Sequence, residues 1–149
     1  MRNGILLYIC CVVILIIPAA ARAELNILGV WKNVDESTGK AKSHIKIWEK
    51  DGIYYGKIEY LLESSQDLRC TSCVGLRRNR PMVGMVILWG MRKTPRRDDG
   101  MDLYTGGQIL DTRSGKSYRC KIWQINDNKI MVREYIFFFY KTHYWYRVK

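Results

Sequence analysis

Little in this sequence points to reaction chemistry. It has no Gly-x-Ser-x-Gly elbow and no Ser–His–Asp order that would build a nucleophilic triad. Its two histidines, His44 and His143, and its cysteines lack the paired spacing of a structural zinc site, so no metal is expected. No glycine-rich phosphate loop occurs, and no cofactor is expected. Gly106-Gly107 precedes a strand, where such glycines serve a tight turn or a close backbone approach. Helix signals are nearly absent, as are internal repeats, low-complexity tracts and linkers. Acids are few: 14 against 25 lysines and arginines, a net charge of +11. No apolar run reaches the roughly 20 residues that a membrane-spanning helix needs.

What is present begins with an address. Thirteen apolar residues, Ile5 to Ile17, follow Arg2 and end at Ala21-Arg22-Ala23, a small-x-small exit. A basic start, a short apolar run and such an exit describe a secretory signal peptide over residues 1–23, and the expected location is periplasmic or secreted. The rival, a membrane anchor, is too short even when counted on to Ala21. The leader carries two of the basic residues and no acid, so its removal leaves 126 residues with a charge of +9. That length suits one domain, residues 24–149, with a core of its own. Export removes nucleic acid as a target. The bland account of the charge is solvated strand faces. The alternative is an anionic lipid or envelope surface, met by Arg77, Arg78 and Arg80 and by Arg92, Lys93, Arg96 and Arg97, which flank Met82–Met91.

The pattern after the leader alternates at period two, and its turns sit where hairpins need them. Strands are expected from Gly29, over Lys42–Glu49, Ile53–Leu62, Gly107–Asp111, Lys116–Ile125, Lys129–Tyr140 and His143–Val148. Asp51-Gly52 is the strongest hairpin signal. The 43 residues from Glu63 to Thr105 are too many for a structureless loop, and Met85–Trp89 supplies a further strand there. The fold class is all-β: a single antiparallel up-and-down barrel of about eight strands.

Gly29-x-Trp31 in the first strand and Arg147 beside Trp145 in the last resemble the calycin pattern. That resemblance implies a tryptophan packed beneath an arginine, closing the barrel structurally through Gly29, Trp31, Trp145 and Arg147. More widely the chain resembles domain-of-unknown-function family 2147, small exported lipocalin-like proteins of bacteria. The matching elements are Gly29-Val30-Trp31, Thr38-Gly39-Lys40, Tyr55-Gly56-Lys57-Ile58, Pro81-Met82-Val83-Gly84, Gly106-Gly107-Gln108-Ile109-Leu110-Asp111, Gly115-Lys116-Ser117-Tyr118 and Trp145-Tyr146-Arg147-Val148. Two departures stand out. Leu103 or Tyr104 replaces a tryptophan before the paired glycines, and Val132-Arg133-Glu134-Tyr135 replaces Val-Arg-Gly-Tyr. The resemblance implies a barrel and export, and no activity.

Cys70-Thr71-Ser72-Cys73 has the spacing of a redox centre, but no thioredoxin-like βαβ context surrounds it. In an oxidising compartment it reads as a local disulfide pinning the long connection, worth about 2 kcal/mol in the chain-entropy model. Cys120 then remains, either as a buried inert thiol or as a partner for Cys70 or Cys73. Glu134 alternates with Ile130, Val132 and Ile136, which puts a carboxylate on an apolar face unless the register slips. A buried charge must be paired, hydrogen-bonded or neutralised. Phe137, Phe138 and Phe139 cannot all face one side of a strand, so at least one meets solvent, a partner or a membrane unless a bend hides it.

The leading expectation is a non-enzymatic binding module whose barrel takes a small apolar or amphipathic ligand. Its binding residues would be Tyr54, Tyr60, Tyr118 and Val132, with Arg133 or Glu134 as polar anchor. The alternative is a solid barrel that acts on the cell envelope through its basic loop and aromatic patch. A thiol–disulfide enzyme working through Cys70 and Cys73 comes third.

Overall fold

Asp51 and Gly52 both take positive φ, 55° and 74°, the left-handed conformation that a two-residue hairpin turn requires. Lys50 pairs with Ile53 across this turn, and the register of the second and third strands follows from it. The computed structural model of the chain describes residues 26–148. The expected signal peptide lies outside the described residues.

Among the described residues nine strand segments run in chain order: β1 (Gly29–Val34), β2 (Ala41–Lys50), β3 (Ile53–Leu61), β4 (Val86–Lys93), β5 (Asp102–Thr105), β6 (Gln108–Asp111), β7 (Lys116–Asn126), β8 (Lys129–Ile136) and β9 (Phe139–Arg147). Each pairs antiparallel with its neighbours, and β1 pairs with β9 to close the sheet. Segments β5 and β6 both lie between β4 and β7, so they share one stave of the barrel. The result is the expected all-β, up-and-down barrel of eight staves, a closure that leaves no free sheet edge.

The break in the shared stave falls at Gly106-Gly107. A Cβ on Gly107 would lie 2.2 Å from the carbonyl oxygen of Trp89, so only glycine allows β4 to come this close. Residues 102–105, expected to belong to the long connection, instead form β5, held to β4 and β7. The remainder of that connection is tied down by its own backbone. Cys70 N–H donates to Arg80, Asn79 to Cys70, and Met82 to Leu68.

Residues 129–140 do not form one strand. The chain reverses at Phe137-Phe138, and Ile136 pairs with Phe139 across a two-residue turn. Phe137 adopts φ 52°. Nothing in the sequence marks this turn, because two-residue hairpins ordinarily use Asn, Asp or Gly to reach such angles.

Alternation puts one set of side chains inside each stave. Trp31, Ile45, Leu88, Met91, Tyr104, Ile122, Ile130 and Val132 are fully buried and fill one half of the barrel. The end of that half is sealed. The Trp31 indole N–H donates to Ile27 at 2.8 Å, and the Arg147 guanidinium sits 4.3 Å above the Trp31 ring. Arg147 also donates to the carbonyls of Asn26, Leu28 and Asp127, which fastens the N-terminal segment across the opening. A Cβ on Gly29, where φ is 113°, would meet Arg147 Nη1 at 2.9 Å.

Arg147→Leu should remove the stacking and these charge-assisted hydrogen bonds together. Urea denaturation is expected to show a loss of about 2–4 kcal/mol. An unchanged midpoint would mean that the seal contributes nothing to stability.

Candidate functional site

The opposite half of the barrel is hollow. A cavity of about 720 Å³ opens at the end where the β1–β2, β6–β7 and β8–β9 turns lie. Its size is within the range of small-molecule sites. The two sides of this cavity differ in chemistry. On one wall β3, β4 and β6 present Ile58, Leu61, Ile87, Ile109 and Leu110. On the other, β2, β1, β9 and β8 present Ser43, Asn33, Trp145, His143 and Glu134.

The register explains the polar wall. Asn33 lies between Ser43 on β2 and Trp145 on β9. Two residues along β9 from Trp145 comes His143, facing the same way, and Glu134 on β8 continues the row. His143 Nε2 is 3.5 Å from Glu134 Oε1. Glu134 is buried, as is Ser43. A carboxylate in such a place needs a partner, and the imidazole supplies one. Trp145 is 2 % exposed and its indole N–H has no hydrogen-bond partner among the described residues. A buried donor without a partner costs about 1–3 kcal/mol, and a ligand acceptor would recover it.

Acids at the mouth are held ionised. Lys42 and the Ser37 hydroxyl hold the Asp35 carboxyl well below the usual carboxylate range. Burial works against Asp111, but the Arg113 N–H and the Ser114 hydroxyl outweigh it and bring this carboxyl below its ordinary value.

The residues expected at a binding site are scattered, and of the six only Glu134 lines the cavity. Tyr54 packs edge-on against Tyr104, with ring centres 4.9 Å apart, beside the filled half. Val132 is wholly buried in that same core. Tyr60 lies half-exposed near His44. Tyr118 is partly buried, opposite Ile109 in the β6–β7 pairing. Arg133 points outward, over the rings of Trp123 at 5.0 Å and Tyr140 at 4.3 Å. Asn33, Ser43 and His143 were not expected, although parity alone marks them: each stands two residues from an inward residue, Trp31, Ile45 or Trp145. Trp145, expected beside the arginine at the seal, lies deeper and contributes to the cavity wall. Among the described residues no group of three or more His, Cys, Asp or Glu could hold a metal ion.

A closed eight-stave meander, sealed at one end and hollow at the other, is the architecture of a lipocalin-like protein. A solved structure with this fold is protein HP1028 from the human pathogen Helicobacter pylori, described as belonging to the lipocalin family. It is similar with a TM-score of 0.71 and 20 % sequence identity, over 84 % of each chain. The chain itself belongs to the family described as "Uncharacterized protein conserved in bacteria (DUF2147)", whose model matches residues 29–147. No curated protein matches the sequence.

Cys70, Cys73 and Cys120 stand outside the cavity. Cys70 and Cys73 form a disulfide, and both are buried. The Ser72 hydroxyl donates to the Thr112 carbonyl at 2.7 Å, so this short loop is docked on the β6–β7 turn. Cys120 is the free thiol among the described residues, and it is buried. Burial, reinforced by the nearby Glu134, pushes its thiol far above the ordinary range. Only the thiolate reacts with alkylating reagents. Cys120 is therefore expected to stay unlabelled by iodoacetamide in the native protein at mildly alkaline pH, and to label fully in denaturant. Native-state labelling would contradict this placement.

Proposed function

We propose that the protein is a non-enzymatic carrier that takes one small amphipathic molecule into its barrel. The observation that carries this reading is the two-sided cavity: an aliphatic wall faces a row formed by Ser43, Asn33, Trp145, His143 and Glu134. A wholly apolar ligand would leave the Trp145 N–H without an acceptor and would offer the Glu134–His143 pair nothing. A wholly polar one would gain nothing from Ile58, Ile87 and Ile109. A molecule with an apolar body and a hydrogen-bonding end satisfies both walls, and ligand sites commonly combine a few oriented polar groups with apolar surface. The buried disulfide supports a structural role for Cys70 and Cys73 over redox work, since neither sulfur is open to a partner thiol. We also propose that the carrier is exported, to the periplasm or beyond, on the strength of its N-terminal apolar run and small-residue exit.

The test is titration with a neutral, environment-sensitive fluorescent amphiphile. Ile109→Trp fills the aliphatic side of the cavity and is expected to weaken binding by about tenfold or more, equivalent to about 1.4 kcal/mol. Lys50→Ala, in the hairpin at the sealed end, should leave affinity unchanged. Equal affinity in the wild type and Ile109→Trp would place the probe elsewhere and refute the cavity as the site.

A further inference from the structure

The β8–β9 turn presents a knob of aromatic side chains to solvent. Phe137 is 93 % exposed, Phe138 97 %, Phe139 74 % and Tyr140 59 %. Neither folding nor solubility accounts for it. A two-residue turn prefers Asn, Asp or Gly, and Phe137 holds φ 52°, a conformation that a bulky aromatic residue rarely adopts. The phenylalanines bury nothing in return. Basic residues stand around the knob. Lys141 follows on β9, Lys116 and Arg119 lie on neighbouring β7, and Arg113 lies in the β6–β7 turn 3.6 Å from Asp111; all four basic residues are exposed. The knob is also at the open end of the barrel, beside the cavity mouth.

We propose that this end of the protein docks on an anionic phospholipid surface, with Phe137 and Phe138 inserted among the headgroups and the surrounding lysines and arginines against lipid phosphates. Shape and charge select this occupant. A convex tip two residues wide offers little of the roughly 800 Å² per partner that a stable protein interface buries. It is well suited to a soft phase that closes around it, where aromatic side chains concentrate at the interfacial depth. The charge of +9 on the chain from Glu24 onward adds long-range attraction to a negative surface. Docked in this way, the mouth of the cavity faces the bilayer. The inference does not depend on what the cavity holds, because docking is measured without any ligand.

The core and the seal lie within residues 26–148, so the form to test is the chain beginning at Glu24. It is sedimented with vesicles of phosphatidylcholine alone and with vesicles that also contain phosphatidylglycerol. The wild type is expected to partition onto the mixed vesicles, less so at high salt. Phe138→Ser should lower that partition about tenfold or more, in line with the loss of one buried phenylalanine. Phe137→Gly should lower it similarly while unfolding no earlier than the wild type, which separates lost docking from lost folding. Lys116→Glu with Lys141→Glu should weaken binding to the mixed vesicles and flatten its salt dependence. Equal sedimentation of the wild type and Phe138→Ser would overturn the proposal. So would failure of the wild type to bind vesicles while it forms a dimer that Phe138→Ser abolishes.

Discussion

The barrel depends on the meeting of its first and last strands. β1 pairs with β9 through Trp31 and Arg147, and the same two residues stack at 4.3 Å across the end of the barrel. One guanidinium thus closes the sheet, covers an indole, holds the N-terminal segment by two carbonyls and ties it to the β7–β8 turn by a third, that of Asp127. Its planar fork of donors suits that task in a way that a lysine ammonium would not. With this end sealed and filled by large side chains, the remaining interior space lies at the other end.

That division between solid and hollow halves organises the chemistry. The filled half is aliphatic and aromatic; Gln124 donates to Asn26 there, and the Tyr104 hydroxyl and Gln124 Oε1 are buried without a hydrogen-bond partner among the described residues. The hollow half collects the inward polar residues of four adjacent staves into one row. Burying a carboxylate there weakens the fold unless the carboxylate is partnered. The pairing of Glu134 with His143, and the unpartnered Trp145 N–H, are what a site prepared for a polar ligand group would show. The exposed phenylalanines add a second departure from folding economy at that same end.

The barrel was legible because period-two alternation and turn chemistry are local. Asp51-Gly52 and Gly106 mark their positions by positive φ, and Gly107 marks its own by the close approach of the β4 backbone. The Phe137-Phe138 turn was not legible, since its residues are the reverse of turn formers. Missing it shifted the start of β9 from Phe139 to His143 but left His143 and Trp145 in the last strand. Glu134 could be read as inward from Ile130 and Val132, and the β8–β9 register runs without a slip through it. Its neighbours in the cavity come from β1, β2 and β9, and that proximity exists only once the barrel closes. Tyrosines on alternating strands looked like an aromatic interior. Alternation alone does not say which face is inside, nor which half of the barrel is empty.

The most direct measurement is native mass spectrometry of the chain from Glu24 onward, purified from an envelope extract without detergent. The account predicts a discrete added mass, lost on denaturation, belonging to one amphipathic molecule per chain. The bare protein mass, from material never exposed to detergent, would contradict it.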